Sequence, residues 1–122
     1  MRKFLPLFIL AITFALTAAH AEEEIQKVEI IVDSYSFTPD TITAKAGVPL
    51  EITLRSVSSI SHTFTIDDPA HGLLIDQEVR GGRDAVVTFT PEKPGTYKIY
   101  CAKSSIFGSH EEKGMTGRLV VE

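Results

Sequence analysis

Short runs in which apolar and polar residues alternate recur along the chain from residue 25 onwards, and they predict β-strands. The cleanest run covers residues 50–55, where Leu50, Ile52 and Leu54 alternate with polar residues. Successive side chains of a strand point to opposite faces, so one face of each run is expected to be buried and the other solvated. The other predicted strands cover residues 28–32, 41–45, 62–66, 75–79, 85–89, 97–101 and 119–121.

Turn signals separate these runs, and no run shows a convincing helical period. The clearest turns are Asp68-Pro69, Gly81-Gly82 and Pro91 to Gly95. Residues 34–40 also form a predicted turn region, in which Phe37 is expected to fill part of the core. Seven or eight short strands with regular turns predict an all-β fold, an antiparallel Greek-key β-sandwich.

The first 21 residues have the pattern of a secretory signal peptide. Arg2 and Lys3 give a positive start, residues 4–18 are mainly apolar, and Ala19-His20-Ala21 fits the cleavage pattern. An apolar run of about fifteen residues is short for a membrane-spanning helix, which needs about 20. We therefore expect cleavage after Ala21, export to the periplasm without stable membrane insertion, and a single domain over residues 22–122.

Charge and cysteine content narrow the choice of partners. The formal net charge is −4, and two of the twelve basic residues leave with the signal peptide. An acidic chain of this kind argues against a nucleic-acid partner or an anionic membrane surface. One cysteine cannot form an intramolecular disulfide, although the periplasm would permit one.

We expect the protein to be a monomer.

The segment from Cys101 to Met115 concentrates residues that bind soft metals. It holds the single cysteine, His110 and the only methionine besides the initiator. His62 is predicted to share the core-facing side of its strand with Phe64. Two imidazoles and a thiolate in a plane, with a weak axial thioether, form the blue-copper electron-transfer site. The pattern therefore predicts His62, Cys101, His110 and Met115 as metal ligands.

Each of these residues also has an ordinary interpretation when it is taken alone. A lone cysteine is usually a small buried apolar residue, and a lone methionine usually fills a gap in the core. His71 is a rival ligand, but its loop offers neither a thiolate nor an apolar face, so we interpret it as solvated. The prediction depends on the combination and its spacing.

Several segments resemble the cupredoxin family of type 1 copper proteins. They are Tyr35 to Ile42, Ala46-Gly47, Ser61 to Phe64, Phe89 to Cys101, His110, and Gly114 to Gly117. The resemblance implies one mononuclear type 1 copper per chain, held by the same four ligands. The separation of Cys101 from His110 is longer than in plastocyanin or azurin, and is closer to the type 1 centres of copper nitrite reductases and rusticyanin. Thr63 stands where many cupredoxins have an asparagine that ties the ligand loops together. Tyr97 resembles the tyrosine corner of Greek-key sandwiches.

The function that this resemblance implies is single-electron transfer between periplasmic redox proteins, without enzymatic activity. Partners are expected to dock near His110, with Ile106 and Phe107 as an apolar patch, although ordinary loop packing is an alternative for these two residues. A copper-delivery protein is the alternative function. A nitrite reductase-like domain is disfavoured because no additional histidine pair is present for a second copper. The binuclear centre of cytochrome oxidase is excluded because it needs two cysteines.

Overall fold

The computed structural model describes residues 2–3 and 24–122. The predicted signal peptide and its cleavage site lie outside the described residues, apart from Arg2 and Lys3. The strands are β1 (Gln26–Asp33), β2 (Ser36–Thr38), β3 (Thr41–Ala44), β4 (Leu50–Ser56), β5 (His62–Asp68), β6 (Leu73–Val79), β7 (Ala85–Phe89), β8 (Gly95–Tyr100), β9 (Ser104–Ser105), β10 (Gly108–Ser109) and β11 (Thr116–Val121). One turn of 3-10 helix, Pro69–His71, joins β5 to β6. Within the described ranges, no helix is long and apolar enough to cross a membrane.

Two sheets share one core, which confirms the predicted all-β sandwich. One sheet has the order β2-β1-β4-β7, the other has the order β3-β11-β8-β5-β6, and β9 and β10 form a separate small hairpin. Apolar side chains from both sheets form a single buried cluster, which includes Ile30 and Leu54 from the first and Phe64, Ile99 and Leu119 from the second. Burial of these apolar surfaces is the main force that holds the sheets together.

Two strand pairs depart from the antiparallel pattern of the predicted sandwich. β1 pairs with β4 in parallel, and β3 pairs with β11 in parallel. The chain leaves the first sheet after β2, contributes β3 to the second sheet, and returns to the first as β4. Alternation identifies the buried face of a strand but not its neighbour, so the sequence pattern did not predict these pairs.

Phe37 and Tyr97 occupy the positions that the sequence predicted. Phe37 is buried in the core, although the surrounding segment forms the short strand β2 and not only a turn. The Tyr97 hydroxyl donates a hydrogen bond to the carbonyl of Lys93 at 2.6 Å, which confirms the tyrosine corner. β9 and β10, which the sequence did not predict, are two residues long each.

Candidate metal centre

The topology brings His62 and Cys101 to the same end of the second sheet. His62 is the first residue of β5, and Cys101 directly follows β8. β5 and β8 are antiparallel neighbours with Thr65 opposite Tyr100, so the start of one strand lies beside the end of the other. His110 reaches the same place from the loop that follows β10.

The three side chains form a small buried triangle. The Sγ atom of Cys101 lies 3.5 Å from Nδ1 of His110 and 3.9 Å from Nδ1 of His62. The two Nδ1 atoms are 3.1 Å apart. A trigonal metal with bonds of about 2.0 Å to nitrogen and 2.3 Å to sulfur separates its ligand atoms by roughly 3.5 to 3.7 Å. The three measured separations lie within about 0.4 Å of these values, and the soft donor set is one that copper binds.

Both histidines are biased towards the neutral form that binds metals. Burial is the main cause that lowers the pKa of His62, and the nearby His110 lowers it further. Burial also lowers the pKa of His110, with smaller contributions from Lys113 and Lys103. Since a metal needs an unprotonated ring nitrogen, these surroundings favour metal binding over protonation.

Thr63 ties the two ligand-bearing segments together, as the resemblance implied. Its backbone N–H donates to Sγ of Cys101 at 3.3 Å. Its hydroxyl oxygen accepts the N–H of Ala102 at 2.8 Å and lies 2.8 Å from the hydroxyl of Thr65. One residue of β5 therefore fixes both the sulfur atom and the start of the following loop.

Backbone hydrogen bonds hold the loop from Cys101 to Met115 in shape. The N–H of His110 donates to the carbonyl of Lys103, and the N–H of Met115 donates to the carbonyl of His110. The N–H of Cys101 donates to the carbonyl of Met115 at 3.2 Å. Met115 is fully buried and is bonded through its backbone to two of the ligand residues. Its role as the axial ligand stays a prediction.

His71 lies apart from the triangle. It is more than half exposed, and its Nδ1 lies 2.8 Å from a carboxylate oxygen of Asp68. It is not a member of the metal-ligand cluster of His62, Cys101 and His110.

Three residues around the triangle were not identified as functional from the sequence. Tyr35 packs edge-on against both imidazoles, with ring centroids 5.0 Å from His110 and 6.2 Å from His62. Ser58 places its hydroxyl oxygen 3.1 Å from Nε2 of His62 and 2.7 Å from the hydroxyl of Ser34. Serines in turns and loops have no distinctive sequence signal, and only the tertiary structure brings them to the site.

Residues 6–121 match the family model described as a cupredoxin-like domain. The chain belongs to the cupredoxin-like family. No curated protein gives a significant sequence match.

Solved structures with the same fold include both small copper proteins and an oxidase. Auracyanin from the photosynthetic bacterium Roseiflexus castenholzii is 18% identical, with a TM-score of 0.67, over 80% of this chain and 97% of that one. Auracyanin A of Chloroflexus aurantiacus, a "blue" copper protein, is 21% identical, with a TM-score of 0.60, over 81% and 100% of the two chains. A multicopper oxidase is 19% identical, with a TM-score of 0.66, over 80% of this chain but only 42% of its own. In this member of the family, His62, Cys101 and His110 are arranged so that they could hold a single copper ion.

Proposed function

We propose that the protein is a type 1 copper electron carrier that passes single electrons between periplasmic redox partners. The observation that carries the proposal is the buried triangle of His62, Cys101 and His110. Two imidazoles and a thiolate at these separations are the donor set of blue-copper electron-transfer sites. The similarity to auracyanin A, itself a blue copper protein, supports the same conclusion.

The protein's own contribution is to fix the ligands before the metal arrives. Copper supplies the one-electron couple between Cu(I) and Cu(II). β5 and β8 hold His62 and Cys101 on neighbouring strands, and the loop hydrogen bonds hold His110 beside them. We assign Met115, buried at the end of the same loop, as the weak axial ligand that tunes the reduction potential. Ligands that need not move allow the metal to change charge with little rearrangement.

Copper delivery is the alternative function, and burial of the site disfavours it. His62 is fully buried and Cys101 is 1% exposed. A delivery protein must release its metal to a partner, which an exposed site with exchangeable ligands does more readily. Slow loss of copper to a chelator would support electron transfer, whereas rapid loss would support delivery.

An enzymatic role is also disfavoured. In residues 2–3 and 24–122, histidine, cysteine and acidic side chains form one cluster of three that could bind a metal. The triangle is that cluster. The similar multicopper oxidase is more than twice as long as the matched region, so the resemblance covers only part of that enzyme. We therefore assign a carrier function to the domain.

Partners are proposed to dock on the tip of the β9–β10 hairpin. Ile106 and Phe107, at this tip, are 93% and 80% exposed, so they do not take part in ordinary loop packing. His110 directly follows β10, which places a copper ligand next to the hairpin in the chain. Exposed apolar side chains beside a redox site are suited to brief contact with the apolar surface of another redox protein.

The docking proposal can be tested through electron self-exchange between two copies of the protein. Phe107→Asp should lower the self-exchange rate at least about tenfold, because charge repulsion opposes contact at this surface. Leu74→Asp is the matched control, since Leu74 is also exposed but lies at the end of β6 away from His62. Equal rates for the two variants would contradict the docking surface.

The central experiment is an optical and EPR titration of the mature protein with Cu(II). One equivalent should give an intense visible band from charge transfer between sulfur and copper. Cys101→Ser should abolish the band and His62→Ala should destroy the type 1 spectrum, whereas His71→Ala should leave both unchanged. A colourless wild-type complex would contradict the type 1 assignment.

A further inference from the structure

The loop before β5 contains a buried serine whose hydroxyl contacts the ring of His62. Ser58 is 5% exposed, and its Oγ atom lies 3.1 Å from Nε2 of His62, the ring nitrogen that faces away from Cys101. The same oxygen lies 2.7 Å from Oγ of Ser34 and accepts the N–H of Ile60 at 3.2 Å. Three polar groups therefore surround one hydroxyl.

The capacity of this hydroxyl restricts how its partners can be arranged. A serine hydroxyl has one proton to donate and two lone pairs to accept with. The N–H of Ile60 occupies one lone pair, which leaves one proton and one lone pair for His62 and Ser34. If His62 donates its Nε2–H to Ser58, then Ser58 must donate to Ser34. If Ser58 donates to His62 instead, Ser34 must donate to Ser58.

The contacts of Nδ1, on the other side of the His62 ring, indicate which of these two hydrogen-bond directions is present. The facing Nδ1 atoms of His62 and His110 are 3.1 Å apart, too close for both to carry a proton, so at least one of them keeps a free lone pair. Nδ1 of His110 is also closer to Sγ of Cys101, at 3.5 Å against 3.9 Å for His62. His110 is therefore better placed to donate, and His62 is better placed to accept through Nδ1.

We propose that Ser58 is a positioning residue for the metal site. Its hydroxyl accepts the Nε2–H of His62 and donates its own proton to Ser34. A neutral imidazole carries one proton, so this arrangement leaves a free lone pair on Nδ1 of His62, on the side of Cys101. His62 is thus fixed in its ligating tautomer before any metal binds.

The consequence for metal affinity rests on the proposed copper site, whereas the hydrogen-bond arrangement does not. Without the hydroxyl, the buried Nε2–H of His62 loses its partner, and the tautomer protonated on Nδ1 becomes more populated. Loss of a hydrogen-bond partner to a ligating histidine typically lowers metal affinity by about 10- to 100-fold. We expect a loss of this size for Ser58→Ala.

The test begins with 15N NMR of the imidazole nitrogens in the metal-free protein. Wild-type His62 should be protonated on Nε2. Ser58→Ala should shift His62 towards protonation on Nδ1, and Ser58→Thr, which keeps the hydroxyl, should restore the wild-type tautomer. Ser61→Ala is the matched control, because Ser61 lies in the same loop and its hydroxyl accepts a bond from Gly81 and not from His62. A wild-type His62 protonated on Nδ1 would overturn the proposal, whether or not the variants fold.

Competition with a Cu(I) chelator then measures the affinity. Ser58→Ala should bind Cu(I) about 10- to 100-fold more weakly than Ser61→Ala. Equal affinities would overturn the positioning role even if wild-type protein gives the blue spectrum. If wild-type protein binds no copper, the proposed function fails, and the NMR result still decides how Ser58 is bonded.

Discussion

His62 is restrained on three sides of its ring. Nδ1 faces His110, Nε2 contacts Ser58, and the Tyr35 ring lies nearly perpendicular to the imidazole. A side chain held in this way has little freedom to turn, so the order needed for metal binding is already present in the protein. Cys101 is restrained similarly by the N–H of Thr63.

Met115 is expected to tune the copper more than to hold it. Met115→Leu keeps an apolar side chain of similar volume, so it should cost less than about 1.5 kcal/mol of stability. Loss of the thioether removes a donor that stabilises Cu(II), so the reduction potential should rise while the blue band persists. Voltammetry and optical spectra of the copper-loaded variant measure both effects.

Met115→Gln provides the opposite change. Its harder oxygen donor favours Cu(II), so the reduction potential should fall below that of the wild type. Shifts in the same direction for Leu and Gln, or loss of copper binding by Met115→Leu, would show that Met115 is not the axial ligand.

The sequence predicted the three residues that the fold brings together, because their chemistry is distinctive. A single cysteine, a histidine nearby in the chain and a second histidine on a core-facing row are rare in combination. Ser58 contacts His62 and Ser34 contacts Ser58, but many serines in loops look the same in a sequence. Their role depends on contacts between segments that are far apart in the chain.

At the level of elements, Thr63 is expected to clamp the loop that follows β8 to β5. Thr63→Val removes the hydroxyl that accepts the N–H of Ala102 and leaves that donor without its partner. This hydrogen bond is only partly buried, so water can replace the lost partner, and the free energy of unfolding in urea should fall by about 0.5–1.5 kcal/mol. Thr88→Val, an exposed change on β7, is the control. A similar free energy for both variants would exclude the clamp.

The β6–β7 turn is expected to brace the loop that carries Ser58. A Cβ atom on Gly81 would lie 2.2 Å from the carbonyl oxygen of Ser59, so Gly81→Ala must displace one of the two segments. We expect a loss of about 1–3 kcal/mol in the free energy of unfolding, together with weaker copper binding.

The neighbouring glycine supplies a control for this effect. Gly82 has a φ of +71° and open space around it, and asparagine tolerates that backbone conformation. Gly82→Asn should therefore change the denaturation midpoint much less than Gly81→Ala. Equal losses would mean that backbone conformation, and not close packing against Ser59, governs this turn.

The sequence predicted the longer strands well and the short ones poorly. Alternation over five or more residues located β1, β4 and β5 because a half-buried strand imposes that pattern. β2, β9 and β10 are too short for a period to be visible. Thr63 and Thr65 lie on the face of β5 opposite His62 and Phe64, yet they are also buried, so both faces of this strand are covered.

At the scale of the whole molecule, metal binding is expected to be coupled to folding. His62 and Cys101 are 39 residues apart in the chain and meet only in the folded sandwich. An ion that binds the folded form alone stabilises it by about 2.7 kcal/mol when its free concentration is 100 times Kd. For a domain of about 100 residues this should raise the Tm by about 10 °C or more.

Calorimetry with buffered Cu(I) measures this stabilisation. Cys101→Ser should show a smaller rise at the same free Cu(I) concentration, because it lacks the soft ligand. An unchanged Tm for the wild type would mean that the folded triangle does not bind the ion preferentially.

The sequence predicted the two-layer β-sandwich, but it did not predict the order of the strands in each sheet. Repeated alternation requires two apolar faces to meet, which leads to a two-layer all-β fold. Parallel pairing of β1 with β4 depends on where the chain changes sheets, near Asp40. At that crossing Gly117 packs so closely that a Cβ atom on it would lie 2.5 Å from the Asp40 carbonyl oxygen, a contact between segments far apart in the chain.

Burial of the only thiol turns Cys101 into a built-in reporter of structural opening. A thiol reagent cannot reach a sulfur that is 1% exposed unless the end of the sandwich opens. When closing is faster than modification, the observed labelling rate divided by the rate for an unprotected thiol equals the fraction of time spent open. Labelling with a small and a large reagent would distinguish local breathing of the ligand loop from global unfolding, without any added probe.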